Sequence, residues 1–123
     1  MANEKILIVE DNEFNLELIS DILEMRGYEI ISTDNGEDAI RLAKKAHPDL
    51  ILMDIQLPVM DGYETTRRIK RDPELKHIPV IAVTSFAMKG DKEKVIEAGC
   101  EGYIVKPIDT RKLPEIVEGY LRR

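Results

Sequence analysis

Four places in the sequence carry side chains that could do chemistry together: Glu10-Asp11, Asp54, Thr84-Ser85 and Lys106. Each follows directly on a short β-rich run, namely Lys5–Val9, Leu50–Met53, Ile78–Val83 and Gly102–Val105. Three carboxylates held close repel one another, and a single pair at ~4 Å in an effective dielectric of ~20 already costs ~4 kcal/mol. Such a set calls for a cation, and hard oxygen ligands with room left for water select Mg²⁺. Lys106 supplies a mobile point charge suited to a phosphate, and the Thr84 hydroxyl a neutral donor. Asp54 is then the candidate reacting group, because aspartate serves as an acyl-phosphate nucleophile. Phosphoryl transfer asks the protein mainly for positioning and charge neutralisation, which this set provides. Singly, each piece has a blander reading: Glu-Asp as a helix cap, Thr-Ser as a turn, Lys106 as a solvated lysine, Asp54 as the start of a loop. Their recurrence at successive strand ends carries the functional reading.

The elements that must position these groups are legible as alternating strands and helices. Leu50–Met53 is an uninterrupted apolar run suited to a central strand buried on both faces. Pro58 stops any continuation, and Asp61 with Glu64 three residues on reads as a capping box opening a helix over Gly62–Arg71. Earlier, Asp11 or Asn12 caps a helix with Phe14, Leu18 and Ile22 beside Ile19 and Leu23 at helical spacing, stopped by Gly27. Tyr28–Ser32 reads as a strand, and Asn35-Gly36 opens a helix with acidic residues in its first turn and Ile40 and Ala43 on one face. Ile78–Val83 is a further apolar strand, followed by a looser polar helix over Lys89–Ala98 that closes at Gly99. After the Gly102–Val105 strand, Asp109 caps a last helix striped by Leu113, Ile116, Val117, Tyr120 and Leu121, with Pro114 in its first turn. Five strand–helix units with short connections mean an α/β domain with a doubly wound parallel sheet, helices on both faces and right-handed crossovers. Five strands favour the flavodoxin-like order 2-1-3-4-5, of which the family named below is itself a standard case. In open α/β sheets, ligands sit at the carboxyl ends of the strands, where all four groups converge.

Composition narrows the function classes. With 123 residues, 43% of them hydrophobic and 34% charged, the chain is sized for one ordinary globular domain. The net charge of −6 opposes nucleic-acid binding, and Arg67, Arg68, Lys70 and Arg71 read as a solvated helix face balanced by acidic residues. No apolar run approaches the ~18 residues that span a membrane, and no signal peptide is evident, so a cytoplasmic home is expected without membrane insertion. The single cysteine, Cys100, excludes an internal disulfide and reads as a small buried apolar residue.

Val9-Glu10-Asp11-Asn12, the run Leu52–Gly62, Val83-Thr84-Ser85 and Tyr103–Pro107 together resemble the receiver domain of bacterial response regulators, over essentially the whole chain and in order. Ile78–Thr84, Phe86–Asp91 and Gly99-Cys100 resemble the stand-alone DivK type and the receivers of hybrid kinases. The resemblance implies a CheY-like fold and a phosphoacceptor switch of a two-component phosphorelay, not a turnover enzyme. It implies Mg²⁺ on Glu10, Asp11, Asp54 and the backbone carbonyl of Gln56, and phosphoryl contacts from Thr84 and Lys106. It further implies a cis peptide at Lys106-Pro107, and Tyr103 as an aromatic that changes rotamer with Thr84 on activation. The implied partners are a histidine kinase or a histidine phosphotransfer protein. A downstream protein target is implied at the surface of the Lys89–Ala98 helix, the Gly102–Val105 strand and the last helix. Since that helix runs to within two residues of Arg123, no output domain is expected, and signalling is expected to pass through protein contact.

The residues oppose three rival readings. A haloacid-dehalogenase-type phosphatase places a second aspartate two residues after its nucleophile, where Gln56 stands and cannot exchange a proton. A flavodoxin-like FMN carrier is disfavoured because Glu10-Asp11 would repel the flavin phosphate. A degenerate receiver used only for binding is disfavoured because every reacting group is present. His47 and His77, each beside or near a proline in a loop, read as surface histidines and not as phosphohistidine donors.

Overall fold

A computed structural model of the chain describes residues 4–85 and 89–123, so the Phe86–Met88 part of the motif noted above lies outside the described residues. The elements run β1 (Lys5–Val9), α1 (Glu13–Glu24), β2 (Glu29–Thr33), α2 (Gly36–Ala46), β3 (Leu50–Asp54), α3 (Gly62–Arg71), β4 (Val80–Thr84), α4 (Lys89–Ala98), β5 (Gly102–Val105) and α5 (Leu113–Leu121). The five strands form one parallel sheet in the order β2-β1-β3-β4-β5. This is the flavodoxin-like, CheY-like arrangement read from the sequence.

Alternation along the inner strands explains the two layers. Leu7, Val9, Ile51, Met53, Val80 and Ala82 point to one face, against Ala39 and Ala43 of α2, Ile69 of α3 and Val95 of α4. Ile6, Ile8, Leu50, Leu52, Ile81 and Val83 point to the other, against Ile19 and Leu23 of α1 and Leu113 and Val117 of α5. β3 and β4 are buried along their whole length, as strands covered on both faces must be. Cys100 is buried, its Sγ 3.8 Å from the Thr66 hydroxyl, and burial pushes its thiol up to about 11.

Several boundaries differ from expectation, each for a local reason. β4 begins at Val80 and not at Ile78: Pro79 has no N–H for a ladder, and the Ile78 N–H donates back to the Leu75 carbonyl in a turn. β2 is shifted one residue, with Tyr28 buried beneath it. α5 begins at Leu113, four residues after Asp109, whose carboxylate accepts the Arg111 and Lys112 N–H groups and so caps a preceding turn. Asp61 caps α3 by accepting the Glu64 N–H, but the Glu64 carboxylate pairs with Arg67 and Arg68, so the box is half made. On α1, Phe14 is 73% exposed, and the helix packs through Ile19 and Leu23 with Leu16 and Ile22. Lys70 is no solvated lysine either. Its ammonium donates to the Ile78 carbonyl at 2.7 Å and to Glu101 at 2.8 Å, while Glu101 also accepts the Val80 N–H, fastening α3 to the entrances of β4 and β5.

Candidate functional site

β1, β3 and β5 each end with a chemically active group at the same rim of the sheet, because parallel strands share one direction. Asp54 is the last residue of β3 and 2% exposed; its Oδ1 accepts the Gln56 N–H at 3.0 Å. The loop after it folds back at once, with the Gly62 N–H donating to the Ile55 carbonyl at 2.9 Å. A Cβ on Gly62 would stand 2.4 Å from the Asp54 carbonyl oxygen, so only glycine lets α3 start this close to the acceptor strand. Glu10, also 2% exposed, leaves β1 with its N–H on the Thr33 carbonyl and one carboxylate oxygen accepting the Asn12 N–H at 3.2 Å. Asp11 is exposed beside it. Lys106 comes off β5 through a cis Lys106–Pro107 bond, and its Nζ lies 3.3 Å from Asp54 Oδ2 and 3.2 Å from Glu10 Oε1.

Carboxylate oxygens of Glu10, Asp11 and Asp54 all lie within 4.8 Å of one another. Burial and the adjacent Asp54 push the Glu10 carboxyl up from its ordinary 4.5 to about 7. Its Oε1 is buried and, although near the lysine, has no hydrogen-bond donor in line. A crowded, oxygen-only donor set with an unsatisfied buried oxygen fits a hard divalent cation of the Mg²⁺ kind.

These groups line a cleft of about 460 Å³ together with Asn12, Asn15, Gln56 and Ser85. Ser85 and Asn12 stand in the motifs quoted from the sequence, whereas Asn15 does not; its place one turn into the helix that Asn12 caps is the available signal. Thr84, 1% exposed at the end of β4, is not among the lining residues, whereas Ser85 is. Tyr103 lies outside the cleft, 40% exposed on β5, beside a hollow it shares with Ile104, Val105 and Ile116. A second cleft, of about 500 Å³, opens at the opposite ends of the strands and includes His47 and His77. Chemistry separates the two: among the described residues, only Glu10, Asp11 and Asp54 gather as a possible metal-binding group.

Known proteins share this arrangement. Residues 6–118 match the family described as the response regulator receiver domain. The polar-differentiation response regulator DivK of Brucella ovis is 55% identical over 116 residues, 94% of this chain and 94% of that protein. Among solved structures, the receiver domain of a sensor histidine kinase from Pseudomonas aeruginosa superposes with a TM-score of 0.92 at 37% identity. That match covers 99% of this chain and 100% of the other, whose active-site cleft coordinates a magnesium ion. Chemotaxis protein CheY4 of Vibrio cholerae matches with a TM-score of 0.91 at 28% identity, covering 97% and 99% of the two chains. Fold, carboxylate cluster and sequence thus agree, and the chain belongs to the response regulator receiver domain family of two-component, phosphorylation-based signalling.

Proposed function

We propose that the chain is a phosphoacceptor switch. It takes a phosphoryl group from the phosphohistidine of a histidine kinase or histidine phosphotransfer protein onto Asp54, and signals through phosphorylation-dependent contact with another protein. The observation that carries this is the placing of Asp54: a buried strand-end carboxylate with Oδ1 tied to the Gln56 N–H and Oδ2 facing the Lys106 ammonium at 3.3 Å. An Asp54 carboxylate oxygen attacks phosphorus as the P–N bond of the phosphohistidine breaks and the imidazole leaves. Lys106 then turns to the new phosphoryl oxygens, and the Thr84 hydroxyl donates to them. Glu10, Asp11, Asp54 and the Gln56 carbonyl would hold Mg²⁺, which when bound would neutralise charge on the phosphoryl group. The same geometry supports slow self-catalysed loss of the phosphoryl group and no turnover of foreign esters.

The signalling half rests on α4, β5 and α5. Ile96 is 60% exposed, Tyr103 40% and Val105 37%, so α4 and β5 present apolar side chains to solvent. Movement of Thr84 toward the phosphoryl group vacates space that Tyr103 enters, and the partner reads the altered face. Incubation with a small phosphodonor and Mg²⁺, followed by intact mass, tests the acceptor. One phosphoryl group is expected on the parent and none on Asp54→Asn or Asp54→Ala. Retained stoichiometric labelling of both variants sinks the assignment.

A further inference from the structure

The larger cleft, at the entrance ends of the strands, holds groups that the phosphoacceptor site does not use. It gathers Asp49 and Glu101 from just ahead of β3 and β5, His47 and His77 from the connections into β3 and β4, and Tyr120 and Arg123 from the end of α5. Its volume of about 500 Å³ falls within the range of small-ligand sites. Tyr120 can lie here because Gly102 makes room. A Cβ on that glycine would collide with the Tyr120 hydroxyl, which donates to the Glu101 carbonyl at 3.4 Å. The Tyr120 ring carries the Arg123 guanidinium on its face, 4.2 Å from the centroid. Among the described residues that guanidinium pairs with no carboxylate, and Asp49 in the same cleft pairs with no cation. Asp49 Oδ2 accepts the Lys5 N–H at 2.9 Å, whereas Glu101 is tied to Lys70 and Glu4 to Arg122. α2 and α5 both end at this cleft, and helix C-termini carry partial negative charge.

We infer that this cleft is a binding site for a guanidinium presented by an arginine side chain of another protein, and that Arg123 is a resident which the incoming arginine displaces. A planar guanidinium matches the two recognition elements on offer, a tyrosine face for stacking and a carboxylate for its forked N–H donors. Arg123 uses the first and not the second, so a guanidinium that reaches both is held more tightly. The helix ends and the uncompensated Asp49 charge favour a cation over an anion. Exposure commits the source to a protein. His47, Asp49 and His77 are open to solvent, and at an exposed ring face a cation–π contact holds a free small cation only weakly. The remaining affinity must come from the surface that delivers the arginine. This cleft lies at the opposite end of the sheet from Asp54, and the inference does not rest on the phosphoacceptor reading.

The test titrates a blocked Gly-Arg-Gly peptide into the parent and its variants, with the Gly-Lys-Gly peptide and agmatine as comparisons, and follows backbone amide NMR shifts. The parent is expected to show saturable shifts at millimolar arginine peptide, confined to residues around the cleft, and to bind the lysine peptide severalfold more weakly. Arg123→Gln removes the resident and is expected to bind the arginine peptide about two- to fivefold more tightly. Asp49→Asn keeps an oxygen for the Lys5 N–H but loses the charge, and is expected to bind about two- to fivefold more weakly with its spectrum otherwise parental. Tyr120→Leu is expected to lose the same binding through the ring face. Absence of saturable shifts in both parent and Arg123→Gln overturns the inference. So does an Arg123→Gln protein that binds no better than the parent, or an Asp49→Asn protein that binds as well. Equal binding of the lysine peptide would reduce the site to unspecific charge attraction, and tighter binding of agmatine than of the peptide would assign it to a free small cation. Either result removes the arginine of another protein as its occupant.

Discussion

At the scale of single residues, Glu10 is the most informative group because its chemistry is set by neighbours more than by type. Burial and Asp54 raise its carboxyl from 4.5 to about 7, so the cation-free folded protein holds a proton that the unfolded chain releases near 4.5. The sign follows from that order. This group's contribution to stability is fully present below about 4.5 and is lost as pH rises through about 7. Cation binding must displace the same proton, so Mg²⁺ affinity is expected to be roughly tenfold weaker at a pH one unit below the raised value than well above it. Glu10→Gln is expected to flatten the pH dependence of stability in the absence of Mg²⁺, and to bind Mg²⁺ more weakly than the parent at pH 8. Melting curves and isothermal titrations across pH check both; an Mg²⁺ affinity indifferent to pH between 6 and 8 would contradict the assigned cause. Residue types alone disclosed the carboxylate cluster and Lys106, but not which carboxylate is buried. Glu10 and Asp11 are adjacent in sequence, yet one is 2% exposed and the other lies open, a difference made by α1 folding back from Asn12.

At the scale of elements, most of the architecture was legible because periodicity and punctuation agreed. Apolar runs of strand length gave β1, β3 and β5, and Asn12, Asn35 and Asp61 cap α1, α2 and α3 with their own side chains. Reading failed where tertiary contacts chose between locally equal options. Ile78 is as apolar as Val80 but is spent on a turn before Pro79. Asp109 is a good cap, but of the turn ahead of α5. Phe14 fits the helical stripe of Leu18 and Ile22 but stands 73% exposed at its start. Glycines divide in the same way. Gly62→Ala would push a Cβ into the backbone of Asp54 and Ile55, at 2.4 Å and 2.7 Å, whereas a Cβ on Gly119 of α5 meets nothing within 4 Å. Gly62→Ala is therefore expected to lose stability by about 1–3 kcal/mol or more and to slow phosphorylation, since the acceptor strand must yield. Gly119→Ala, inside an exposed helix, is expected to gain up to about 1 kcal/mol with phosphorylation unchanged. Denaturant melts and labelling rates on the two variants check the pair; equal losses in both would refute the packing argument at Gly62.

At the scale of the whole molecule, the sheet has two unlike ends. The entrances of β4 and β5 are fastened by the Lys70–Glu101 pair, with Gly99 (φ +105°) turned against the lysine stem. The exits carry Thr84 and Lys106, the groups proposed to respond to phosphate. Under the proposed switch, a change at the exits is expected to be read out at the exposed Ile96, Tyr103 and Val105. Tyr103→Ala is expected to accept phosphate on Asp54 at the parental level yet lose most of the phosphorylation-dependent gain in partner binding. By linkage, a partner that favours the phosphorylated form must also favour its formation, so the same variant is expected to lose any partner-driven rise in labelling. A Tyr103→Ala protein whose partner affinity responds to phosphorylation as the parent's does would remove the aromatic from the switch.

The ion pairs from Lys106 to Glu10 and Asp54 span 96 and 52 residues of chain, and they close only when β5, an edge strand, pairs with β4. A ribosome that has delivered β1 and β3 has made all three carboxylates but not the ammonium that offsets them. The charge centre is thus completed only by the fifth strand, and a chain cut short before β5 would hold the three carboxylates without the ammonium that offsets them.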